Sequence, residues 1–170
     1  MGRSDQGVAG SNSRYQLVPR TLTFVTFQDQ VLLLRGAPDK PLWAGRYNGV
    51  GGHVEAGEDV RGSALREVRE ETGLEVAGLS LCGIVHVDAG EPVGVGLFVF
   101  RAEAASQAVR PSTEGDLAWV PFARVLSLEL VPDLPVLLPK VLNHPPGTGP
   151  FFARYRYDES DRLVITFSRE

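Results

Sequence analysis

Apolar and polar positions recur along this chain with two different periods, and the changes of period mark its elements. Residues 21–27 (TLTFVTF) alternate and are rich in β-branched and aromatic side chains, which predicts a strand. Asp29 and Gln30 turn the chain into 31–35 (VLLLR), a second and more buried strand. Breakers fill 36–41 (GAPDKP), and 43–52 (WAGRYNGVGG) are dense in glycine, which lets backbone approach a ligand closely. From about Asp59 to Thr72 the period becomes helical: Val60, Ala64 and Val68 form an apolar stripe, and Gly73 stands where a left-handed cap residue belongs. Beyond it, 79–87 and 93–102 predict a strand pair bridged by 88–92, and 104–113 form a polar loop. A short edge strand follows at 116–121, then a second helix within 133–143, restricted by Pro135 and Pro139. The chain closes on a β-hairpin, 151–157 with 162–168.

No internal repeat or second domain boundary interrupts this order, so residues 15–170 are expected to form one α+β domain. The Gly/Ser-rich start, 1–14, is expected to be a disordered tail. Composition adds exclusions. The chain has 170 residues, 43% of them hydrophobic and 22% charged, which suits a globular protein with a sizeable core. A net charge of −4 leaves no sequence-wide basic field, and basic residues do not interleave with aromatics, so a nucleic-acid polymer is not the expected partner. One cysteine, Cys82 in an apolar run, excludes an internal disulfide framework; it reads as a structural thiol and agrees with a reducing cytoplasm. No apolar run approaches the length of a membrane span, and the start lacks the apolar core of a secretory signal.

The chemistry concentrates on the central helix. Glu67, Glu70 and Glu71 stand at i, i+3 and i+4 and share one face. Three neighbouring carboxylates repel one another, by roughly 0.2–0.5 kcal/mol per close pair, until a divalent cation reverses the sign. Oxygen donors without cysteine or histidine suit Mg²⁺, with Mn²⁺ as a substitute, rather than zinc. His53, His86 and His144 are scattered without ligand spacing and read as structural.

Read as G-x5-E-x7-R-E-U-x-E-E-x-G-U, with U aliphatic, the segment 52–74 carries Gly52, Glu58, Arg66, Glu67, Val68, Glu70, Glu71, Gly73 and Leu74 at all nine specified positions. In this it resembles the Nudix box. The resemblance implies an α/β/α sandwich around a mixed sheet, with the box as a loop and helix and a C-terminal β-hairpin. It implies metal ligation by Glu67, Glu70, Glu71 and the carbonyl of Gly51, while Glu58 and Arg66 orient loop and helix as a partly buried ion pair. Glu114 falls in a loop where many Nudix enzymes carry an extra carboxylate that binds metal or positions water in catalysis; Glu103 and Asp116 compete for that role. Arg35 and Lys40 are candidates to meet phosphate.

The stretch 43–49 (WAGRYNG) is similar to the MutT-type 8-oxo-dGTP diphosphatases, and the similarity runs from about residue 20 to residue 170. It implies base contact by Asn48 and by Asp133, which matches one of two adjacent base-binding aspartates. The second is Leu134 here, and the position of a base-stacking tryptophan is Val131. The leading expectation is a Mg²⁺-dependent pyrophosphohydrolase that cleaves a nucleoside triphosphate, such as an oxidised purine nucleotide, to the monophosphate and pyrophosphate. One alternative is cleavage of a nucleoside diphosphate linked to another group, such as ADP-ribose or a nucleotide sugar; another is a silent nucleotide-sensing module, against which the intact box argues. A monomer or homodimer acting on a small nucleotide, in the cytoplasm and off the membrane, completes the expectation.

Overall fold

A computed structural model of the chain describes residues 14–39 and 43–168. Lys40 and residues 1–13 of the expected tail lie outside the described residues. Eight strands and two α-helices follow in the order β1 (Gln16–Phe27), β2 (Gln30–Gly36), β3 (Tyr47–Asn48), α1 (Val60–Thr72), β4 (Val76–Asp88), β5 (Val93–Ala104), β6 (Gly115–Pro121), α2 (Leu134–Leu142), β7 (Phe151–Tyr157) and β8 (Leu163–Phe167). A short 3₁₀ helix, Phe122–Ser127, joins β6 to the segment before α2.

The strands form one mixed sheet in the order β3-β2-β1-β5-β4-β7-β8, with β6 paired to β2. β1 runs parallel to β5 and β4 parallel to β7, while the remaining pairs are antiparallel. Alternation divides each central strand between two cores. Leu22 and Phe24 of β1 and Val31 and Leu33 of β2 join Leu134, Leu137, Leu138 and Val141 of α2 on one face. Val25 and Leu32 meet Val50, Val68 and Leu74 on the other, under α1. Two helices on opposite faces of one sheet make the α/β/α sandwich.

The helices begin and end for local reasons. Asp59 caps α1, its carboxylate accepting from the N–H groups of Arg61 and Gly62 at 2.8 Å each. Gly73 ends it at φ 72°, donating its N–H to the Arg69 carbonyl at 2.9 Å. Helix α2 survives Pro139 in its interior because Leu134, Leu137, Leu138 and Val141 are all fully buried. At about 1.5–3 kcal/mol for each buried aliphatic side chain, that packing outweighs the roughly 3 kcal/mol of an interior proline.

Several boundaries differ from expectation. β1 starts at Gln16, not at residue 21, because its pairing with β5 carries it through Pro19. β4 likewise begins at Val76, extended by its partner β5. The two-residue β3 has no periodic signal; it exists because Leu34 and Arg35 of β2 offer Asn48 and Tyr47 an open edge.

Candidate active site

The glycine-rich loop after β3 is stitched to β1. Thr21 N donates to the Gly52 carbonyl at 2.9 Å, Thr23 N to that of Val50 at 2.6 Å, and Val50 N returns to Thr23 at 3.1 Å. The carbonyls of Val50 and Gly52 are thereby used on β1, and chain alternation turns that of Gly51 to the opposite side. The seat leaves no room for a side chain: a Cβ at Gly51 would sit 2.8 Å from the Thr21 carbonyl carbon and 3.0 Å from Leu22 Cα. At Gly52 the hypothetical Cβ would lie 2.7 Å from the Glu67 carboxyl carbon, so glycine lets that carboxylate rest against the loop.

Arg66 ties loop and helix together. Its guanidinium grips both oxygens of Glu58, at 2.7 and 3.1 Å, donates to the His53 carbonyl at 3.1 Å, and reaches Glu67 at 2.8 Å and Glu70 at 3.1 Å. The Arg66 side-chain hydrogen bond and the Glu55 N–H hold the Glu58 carboxyl well below the usual range, at about 2. Hydrogen bonds to Glu58 and then Glu67 push Arg66 still further above its ordinary value. Among the described residues no three acidic, histidine or cysteine side chains converge into a ready metal cage. On the helix itself Arg66 donates to the carboxylates of Glu67 and Glu70.

A cleft of about 900 Å³ opens over this face. One end is acidic, lined by Glu67, Glu70 and Glu71 with Gly51 and Gly52, and Glu114 also lines the cleft. Glu103 and Asp116, the competing carboxylates, do not line it. Asn48, Val131 and Asp133 line the cleft as well. They come together because Val131 N donates to the Tyr47 carbonyl at 3.1 Å and Tyr47 N to that of Glu129 at 2.8 Å. The side-chain oxygen of Asn48 accepts from Gly49 N at 2.8 Å, which leaves its amide as the group able to donate to a ligand. Burial raises the Asp133 carboxyl above its ordinary value. Leu22, Val87, Val95 and Leu97 supply an aliphatic lining.

Arg35 does not line the cleft: its Nε donates to the Gly45 carbonyl at 3.0 Å and the guanidinium stacks 5.8 Å from the Tyr47 ring centre. The cation that does line the cleft is Arg20, whose Nε donates to His53 Nε2 at 3.1 Å, with His53 lining it too. Leu134 is packed in the core and offers the cleft nothing. Two further lining residues escaped sequence reasoning. Thr21 is 2% exposed with a sealed hydroxyl that has no hydrogen-bond partner. Trp43 is 45% exposed at φ 60°, a left-handed conformation rare for a bulky residue. The positive φ is invisible in sequence, and Trp43 carried a signal only as an aromatic among breakers.

These features coincide with what comparison with known proteins finds. The NUDIX domain model matches residues 17–141. The chain belongs to the Nudix family and is a Nudix hydrolase. It is 28% identical over 151 residues to the mouse oxidized purine nucleoside triphosphate hydrolase, covering 88% of this chain and 93% of that protein. It is 36% identical over 122 residues to the NAD-capped RNA hydrolase NudC of Pseudomonas aeruginosa, covering 71% of this chain but only 40% of NudC's length. The mutator MutT protein of Bacillus halodurans superimposes with a TM-score of 0.73 at 29% identity, over 91% of this chain and 99% of that one. No helix among the described residues is long and apolar enough to cross a membrane.

Proposed function

We propose that this Nudix hydrolase is a Mg²⁺-dependent nucleoside triphosphate pyrophosphohydrolase that releases a nucleoside monophosphate and pyrophosphate, with purine nucleotides, oxidised ones included, as its substrate class. The observation that carries the reading is one cleft lined both by the acidic helix face of Glu67, Glu70 and Glu71 and by the polar side chains of Asn48 and Asp133 beside aliphatic residues. The donor set fits hard divalent cations: Glu67, Glu70, Glu71 and the Gly51 carbonyl offer oxygen alone, and Gly51 and Gly52 admit no side chain that would fill the space. Bound there, Mg²⁺ would neutralise phosphate charge and make a coordinated water easier to deprotonate.

The chain's own residues do the remainder. Arg66 and Glu58 fix the loop against the helix, so that the Gly51 carbonyl and the carboxylates keep one relative position. Glu114 is the candidate to take the proton of the attacking water. Arg20, held by His53, gives the phosphates a cation, and the Asn48 amide and Asp133 carboxyl hold the base edge. Positioning of this kind is most of what phosphoryl chemistry asks of a protein.

The similarity to NudC favours a second reading, cleavage of a diphosphate joining a nucleotide to another group. Product analysis separates them. With dGTP, 8-oxo-dGTP, other triphosphates, NADH and ADP-ribose side by side, the first reading expects pyrophosphate and a monophosphate. Its rate should vanish with EDTA and return with Mg²⁺ or Mn²⁺. Two monophosphates from the diphosphate compounds, with inert triphosphates, would select the second reading instead.

A further inference from the structure

Strand β7 carries a polar group that the reaction above leaves idle. Tyr155 is 3% exposed, and its sealed hydroxyl makes no hydrogen bond of ordinary geometry. Phenylalanine would fill the same space without that oxygen, so packing alone does not call for the hydroxyl. Alternation along β7 sets Tyr155 on the same face as Tyr157, and strand register sets it opposite Val87. Both of those residues line the cleft.

Its neighbour is Asp133. Burial, then the Asp133 charge, push the phenol well above its usual range, so it stays protonated and keeps a proton to donate. Asp133 occupies the N-cap of α2, where aspartate ordinarily accepts from the first-turn N–H groups, yet its side chain makes no such capping bond. The fold thus brings a donor and an acceptor together beside the cleft. The adjacent Leu134 is fully buried, so no second carboxylate shares the site with Asp133.

We propose that Tyr155 is the positioning residue of the base subsite: its phenol donates to one carboxylate oxygen of Asp133 when a nucleobase enters, and the other oxygen accepts from an N–H on the base edge. The proposal rests on the triphosphate reading above. The ligand feature it selects is a ring N–H or amine of a purine. The surrounding Val87, Leu97 and Val131 cannot replace a lost hydrogen bond, so one polar contact dominates the choice between bases.

The test is steady-state hydrolysis of dGTP, 8-oxo-dGTP, dITP and dATP by the full chain with Mg²⁺, for wild type, Tyr155→Phe, Asp133→Asn and the double variant. Tyr155→Phe should raise KM for the preferred base about tenfold, the value of one charge-assisted hydrogen bond, with kcat within threefold. It should compress the spread of kcat/KM across the four bases. In the Asp133→Asn background it should add less than twofold, because the group it positions is already altered. Its Tm should stay level or rise, which a merely structural tyrosine would not allow. Unchanged KM and an unchanged spread, or losses that multiply independently in the double variant, would overturn the proposal while leaving the triphosphate reading intact. A wild-type protein that hydrolyses no triphosphate would sink both.

Discussion

Gly51→Ala isolates the role of the loop seat from the chemistry of the acids. The new methyl would lie 2.8 Å from the Thr21 carbonyl carbon and 3.0 Å from Leu22 Cα, both main-chain atoms that no rotamer can move. Carbon atoms settle at about 3.5–4.0 Å, so loop and β1 must part by about 0.7 Å or more. Three backbone hydrogen bonds span that seam, those of Thr21, Val50 and Thr23. At about 0.5–1.5 kcal/mol net apiece, springing them costs about 3 kcal/mol. For a chain of this size that is a fall in Tm of about 6–12 °C. The same shift moves the Gly51 carbonyl relative to Glu67, and a misplacement approaching 1 Å costs on the order of 10²-fold in rate. Gly149→Ala is the matched control, since nothing lies within 4 Å of its hypothetical Cβ. Thermal melts and kcat with Mg²⁺ on the two variants decide the matter. A Gly51→Ala protein within 2 °C of wild type by the scale above, and within about threefold in kcat, would mean the seam is not rigid and the argument from close approach is wrong.

Other expectations are more direct. Glu70→Gln and Glu71→Gln should each lower kcat by about 10²–10³-fold at unchanged Tm, and weaken Mn²⁺ binding by titration; near-normal turnover in either would remove it from the ligand set. Glu58 titrates at about 2 in the folded chain instead of 4.5, so its contribution to stability is complete above about 4.5 and is lost as pH falls toward 2. Denaturant melts of wild type and Glu58→Gln should therefore differ at pH 7 and converge near pH 2; a constant gap across that range would refute the linkage. Trp43→Ala should raise KM for purine triphosphates by roughly tenfold with little change in kcat, if the exposed indole at the cleft stacks on the base. An unaltered KM would assign Trp43 to the loop alone.

What could be read from sequence was whatever repeats. The periodicities of β1, β2 and α1 marked the sheet and its first helix, and the spacing of Glu67, Glu70 and Glu71 marked one helical face, which lines the cleft. Single residues without periodic context were not legible. Arg35 and Arg20 look alike as isolated cations near strand ends, and only the pairing of β1 with the loop shows that Arg20 reaches the cleft while Arg35 is spent on Gly45 and Tyr47. Thr21 and Tyr155 read as ordinary strand residues, because the idleness of a buried hydroxyl depends on which atoms surround it. The two-residue β3 followed the same logic, formed by an edge that β2 offers and not by any preference of Tyr47 and Asn48.

On the acidic helix face, mutual repulsion of the carboxylates is offset by a cation of the chain itself. Arg66 holds Glu67 and Glu70 while locking Glu58, so one guanidinium satisfies three carboxylates at once. The three grips are not equivalent. The contact with Glu58 is bidentate and lies between groups that are 24% and 19% exposed, whereas Glu70 is 60% exposed and held by a single bond at 3.1 Å. Exposed single ion pairs are worth about 0.2–1 kcal/mol, so Glu70 can leave Arg66 at little cost while Glu58 stays. The arrangement therefore separates a fixed partner from an exchangeable one on the same arginine. That difference would let the loop keep its position against α1 if Glu70 exchanged Arg66 for another partner.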